Sequence, residues 1–136
     1  MSHGLLLPMA AHVLLVAALY VLLTIARAPV VWGIGRRPDG GNPWSDIEPR
    51  IGANLSNQFE WPLFFHVGCL VLLQFPPTRE ALVLAWIFIV GRLMHSAVQI
   101  LVPDIRLRGA VFTINFLAVL GLWGLVVLAA TGHPAG

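Results

Sequence analysis

The sequence predicts an all-α integral membrane protein, a bundle of four transmembrane helices in a single domain. Three observations predict it. The chain of 136 residues is 58% hydrophobic and only 10% charged, far too apolar for a soluble domain of that size. Four stretches approach or exceed the ~20 apolar residues that cross a bilayer: Leu5–Ala26, Ala53–Phe75, Ala81–Val102 and Gly109–Ala130. The arginines cluster between these stretches, and lysine is absent.

Each stretch is expected to be a helix, because backbone facing lipid must satisfy its hydrogen bonds within the segment. No basic residue precedes the first apolar run, and that run is longer than a signal-peptide core, so it is read as a retained span. Loop one follows, with turn formers from Arg36 to Pro43, and is expected to be irregular. Trp32 and Trp44 flank it at headgroup level. The second span carries Glu60 and Pro62; Pro62 leaves the Gln58 carbonyl without its helical donor and predicts a kink. A Pro76-Pro77 turn joins the second and third spans as antiparallel neighbours.

The loop arginines also give an orientation. Arg27, Arg36, Arg37 and Arg50 lie in loop one, Arg106 and Arg108 in loop three, and only Arg79 in the turn between spans two and three. Loops one and three are therefore expected in the cytoplasm and both termini outside. The net charge of +2 resides mainly in these loops. It argues for contact with anionic membrane lipids, not for nucleic acid. Cys69 is the only cysteine and is expected to pack in the interior. The scattered histidines have no metal-binding spacing.

Two ionisable residues lie deep in the apolar spans. Glu60 is nine residues from Ile51, about 13 Å along a helix; Arg92 is ten residues from Val102, about 15 Å. A charge at the bilayer centre costs roughly 2.5–3.5 kcal/mol, so such residues face the bundle interior, pair and mark function. The matching depths predict a buried Glu60–Arg92 pair. Polar neighbours share their faces. Arg92, His95, Ser96 and Gln99 cover a stripe about 100° wide; Arg50, Asn54, Asn57 and Glu60 follow one about 120° wide. Both stripes open toward Arg106 and Arg108. The expectation is a polar cleft for a small zwitterionic or anionic ligand, since arginine grips carboxylates bidentately. The alternative is a packing clamp with interhelical amide hydrogen bonds. His66, about 120° round the helix from Glu60, is read as a packing residue, and His12 carries no argument.

Gly91-Arg92-Leu93-Met94-His95-Ser96, followed by Arg106 and Arg108, resembles the third-helix segment of the membrane-associated proteins in eicosanoid and glutathione metabolism, the MAPEG family. Asn57-Gln58-Phe59-Glu60-Trp61-Pro62 resembles the second-helix segment of the same family. The resemblance covers essentially the whole chain and is nearest to the little-characterised bacterial branch. It implies a homotrimer in a bacterial inner membrane, binding glutathione near the cytoplasmic side. The implied activity is thiol-dependent transfer to, or reduction of, a lipophilic small-molecule substrate. By carry-over, Arg50, Asn57, Glu60, Arg92, His95 and Arg108 bind or support glutathione. Arg92, Arg108 or Ser96 would activate the thiol. Ala53, Leu55 and Ser56 replace an arginine cluster of the well-studied enzymes, Gln99 replaces a tyrosine, and Phe112 an aromatic hydroxyl. These departures favour a second reading, a non-catalytic interaction or lipid-binding protein with the same fold. A drug/proton exporter ranks last, because the first span has no acid.

Overall fold

The computed structural model describes residues 2–133, and every regular element among them is helical. A short 3-10 turn, Ser2–Leu5, leads into α1 (Leu6–Val31); α2 (Glu48–Asn57), α3 (Trp61–Leu72), α4 (Arg79–Leu101) and α5 (Ile105–Ala130) follow. Three helical segments are long and apolar enough to cross a membrane: His3–Val31, Arg79–Leu101 and Ile105–Ala130. Their outward faces carry exposed residues such as Leu14, Val21, Val90 and Leu117, the surface expected where the solvent is lipid.

The second span departs from the expected single helix. It is split into helices of 10 and 12 residues. Pro62 is the physical reason. It has no N–H for the Gln58 carbonyl, and its ring excludes the helical path of the preceding turn. The chain tightens instead: the amides of Gln58 and Phe59 bond the carbonyls of Leu55 and Ser56 at 3.1 Å. Glu60 then leaves the helical region at φ −93°, ψ −101°, and Pro62 takes its favoured place in the first turn of α3.

Elsewhere the ends are set by local chemistry. α1 runs past the expected Ala26 to Val31 and accommodates Pro29 near its C-terminus. Arg36 Nε donates to the Pro29 carbonyl at 2.7 Å, and Asn42 Nδ2 to the Ala26 carbonyl at 3.1 Å, folding loop one back onto α1. Thr78 caps α4 by accepting from the Ala81 amide. Asp104 caps α5 by accepting from the amides of Arg106 and Leu107.

Two apolar clusters form the core. One joins Leu5 to α3, α4 and α5 through Phe65, Phe88, Val119 and Leu122, with Phe65 and Phe88 stacked 4.1 Å apart. The other joins α1, α2 and α4 through Leu19, Leu23, Ile51, Leu55 and Ile100. Along the chain the buried polar residues fall between the clusters: His12 between Leu5 of the 3-10 turn and Leu19 of α1, and Arg92–Gln99 between Ile89 and Ile100 on α4. The polar layer is therefore sealed at both ends by hydrocarbon.

Close approach of α3 and α5 depends on Gly68. The Trp123 indole Nε1 donates to the Phe64 carbonyl at 3.0 Å, and a Cβ at position 68 would lie 3.3 Å from that same nitrogen. Gly68→Val is expected to push the indole off the carbonyl and destabilise the bundle by about 1–3 kcal/mol. A thermal unfolding midpoint in detergent equal to wild type would contradict this.

Candidate functional site

The centre of the polar layer is Gln58, the residue that closes α2. Its Oε1 lies 2.9 Å from Arg92 Nε and 2.9 Å from His12 Nε2. Arginine has donors only, so the amide atom facing Arg92 is the oxygen, and His12 must also donate to it. Gln58 Nε2 then faces Asn54 Oδ1 at 3.1 Å, the Asn54 carbonyl at 3.3 Å and Ser96 Oγ at 3.2 Å. With its oxygen receiving from Gln58, Asn54 turns Nδ2 to Gln99 Oε1 at 2.9 Å, and Asn57 Nδ2 shares that acceptor at 3.0 Å. One arginine thus fixes the direction of an entire amide ladder. On the other side, His12 Nδ1 stands 2.8 Å from His66 Nε2. With both rings neutral, His66 donates to His12 and His12 donates to Gln58.

Arg92 is the largest side chain buried below 2% exposure, at 1%. Its Nε is satisfied by Gln58, but its Nη2 is buried with no hydrogen-bond partner among the described residues. His95 Nδ1 and Asn115 Oδ1 are also buried and, among the described residues, unpartnered. Buried polar atoms are nearly always paired, so three orphans in one layer point to an absent polar group.

The expected Glu60–Arg92 ion pair is not made within the chain among the described residues. Among the described residues the salt bridge present is Arg27–Glu48, at 2.7 Å near the ends of α1 and α2. The break at Pro62 is the cause: Glu60 sits on the non-helical step between α2 and α3, exposed on the bundle surface, while Gln58 takes the place beside Arg92. The other predicted residues are distributed as follows. Asn57 ends α2, half-buried, with its Nδ2 given to Gln99 and its Oδ1 receiving no hydrogen bond among the described residues. Ser96 accepts from Gln58, and its own O–H makes no hydrogen bond among the described residues. His95 packs against Phe112, ring centroids 5.9 Å apart. Arg50 Nη1 reaches the Ile100 carbonyl at 3.5 Å, and Arg108 lies half-buried in the first turn of α5. Arg92, Ser96 and Asn57 belong to one connected network with Gln58; Arg50 and Arg108 stand outside it.

Sequence reasoning set aside His12 and His66 and overlooked Gln58. A signal existed for two of them. Asn54 and Gln58 are four apart on one helical face, and His12 is an imidazole inside a predominantly apolar span.

The profile of the MAPEG family matches residues 5–128, nearly the whole chain. The protein is a MAPEG family member. No curated protein and no solved structure matches it. Family membership and three long apolar helices make it an integral membrane helical protein. In this MAPEG protein the segments Asn57–Pro62 and Gly91–Ser96 meet through Gln58, a position neither segment's acidic or basic residues would have singled out.

Proposed function

We propose that this MAPEG protein binds glutathione, or a related thiol, in the polar layer and uses it on a lipophilic substrate that enters from the bilayer. The observation that carries the reading is the buried Arg92 guanidinium with its free Nη2. A ligand carboxylate there would complete a charge-assisted hydrogen bond in a low-dielectric setting. Acceptors for a ligand ammonium stand on the second span: the free Asn57 Oδ1 and the exposed Glu60 carboxylate. Arg50 and Arg108 supply further positive charge for a second carboxylate, with His95 as a supporting donor. Ser96 has a proton to give, since its oxygen already accepts from Gln58. A thiolate is stabilised by such a hydroxyl or by an arginine, and a stabilised thiolate is the nucleophile for transfer or peroxide reduction. A homotrimer in a bacterial inner membrane, with loops one and three cytoplasmic, completes the proposal. In such an assembly a neighbouring subunit would cover Glu60.

A non-catalytic, lipid-binding role is favoured by one feature. Gln99 occupies the place of a family tyrosine and is tied to Asn54 and Asn57. Calorimetry of the detergent-purified protein separates the two readings. The thiol reading expects saturable glutathione binding that is lost in Glu60→Gln while the oligomer stays intact. No binding by a well-assembled wild type would reject it.

A further inference from the structure

We propose that Gln58 is a positioning residue that sets the donor–acceptor polarity of the whole layer. It holds Arg92 by Nε so that Nη2 stays free, and through Asn54 and Gln99 it turns the Asn57 carbonyl oxygen outward. The ligand named below rests on the glutathione reading; the geometry does not.

Gln58 is 3% exposed, and both ends of its amide are engaged. Its oxygen takes one proton from Arg92 and one from His12, which uses both lone pairs. Its nitrogen is thereby committed to Asn54 and Ser96. Asn54 can bond Gln99 through either half of its amide, and only the proton received from Gln58 on Oδ1 decides which. The decision passes on. Gln99 presents oxygen to the ladder, so Asn57 must present nitrogen to Gln99 and keep its oxygen for the site.

Without Gln58 the ladder has two near-equivalent directions. In the reversed one Asn57 offers N–H groups where it now offers a carbonyl. The site would then recognise anionic groups but no longer read an ammonium at Asn57. Gln58 therefore governs which end of a zwitterionic ligand binds where, without touching the ligand itself. His12, backed by His66 at 2.8 Å, is the second lock on the same oxygen.

The test compares glutathione with its analogue lacking the γ-glutamyl amino group, using wild type and Gln58→Met. Wild type is expected to prefer glutathione by about tenfold or more, as for a hydrogen bond to a charged group. Gln58→Met is expected to bind both peptides about tenfold more weakly and to lose most of the preference. An unchanged preference in folded Gln58→Met would assign ammonium recognition to Glu60 alone and overturn the proposal. A ligand-free measurement covers a variant that does not fold. Nitrogen NMR of histidine-labelled wild type is expected to show neutral His12 protonated on Nε2, with Nδ1 accepting. The Nδ1–H tautomer would overturn the proposal. If wild type binds neither peptide, the glutathione reading falls, and the tautomer alone decides the role of Gln58.

Discussion

Replacing Gln58 with leucine is expected to destabilise the protein by about 3–5 kcal/mol, the largest loss for any single polar side chain in the bundle. The substitution leaves Arg92 Nε, His12 Nε2 and Asn54 Oδ1 buried without partners. Each orphaned group costs about 1–3 kcal/mol, and the charged one stands at the upper end. Relaxation returns part of that sum. Neither cluster of the core can take up the stranded groups, because the layer lies between Phe65 and Phe88 on one side and Leu19 and Leu55 on the other. Denaturant unfolding in mild detergent measures the loss. A change below about 1 kcal/mol would mean that water enters the layer and replaces the lost partners.

Arg92→Leu is expected to behave in the opposite way: a large loss of glutathione affinity with little loss of stability. The asymmetry follows from who donates. Removing Arg92 takes a buried charge out of the protein, and Gln58 Oε1 keeps His12 as its donor. Exchanging a buried ionic group for an apolar one of similar size is often neutral or stabilising. The ligand, by contrast, loses a charge-assisted contact, which at about 1.5–3 kcal/mol weakens binding roughly 10- to 100-fold. Calorimetry and unfolding on the same preparation give both numbers. A variant that unfolds readily would show Arg92 to be a structural strut; one that binds normally would remove it from the site.

Much of the fold was legible because the bilayer imposes it. The spans at residues 81–102 and 109–130 lie almost where α4 and α5 run, and the caps at Thr78 and Asp104 explain the earlier starts. Pro62 announced a disturbance, but its size was not readable. A proline permits a mild kink or a full break, and the surrounding contacts decide between them. Here Gln58 turns inward and Glu60 outward. That choice also explains why the expected ion pair is not made within the chain. Equal depth along two helices is computed from a continuous helix, whereas the break leaves Glu60 on the exposed surface and a neutral neighbour two residues earlier takes the hydrogen-bonding place beside Arg92. Ionisable residues drew attention because their burial is costly. The amides that organise them were harder to see, since asparagine and glutamine are ordinary in sequence and become decisive only when tertiary contacts pair them.

The split of the second span has a consequence for how the chain enters the membrane. Residues 48–60 carry Glu48, Arg50, Asn54, Asn57, Gln58 and Glu60, and α2 and α3 are each too short to cross a bilayer. This region has little reason to partition into lipid when it leaves the ribosome. Beyond the local Gln58–Asn54 contact, its amides find their partners on α4, at Ser96 and Gln99, and on α1, at His12. The second span is therefore expected to be held in the bundle by its neighbours, with its final seating following the synthesis of α4.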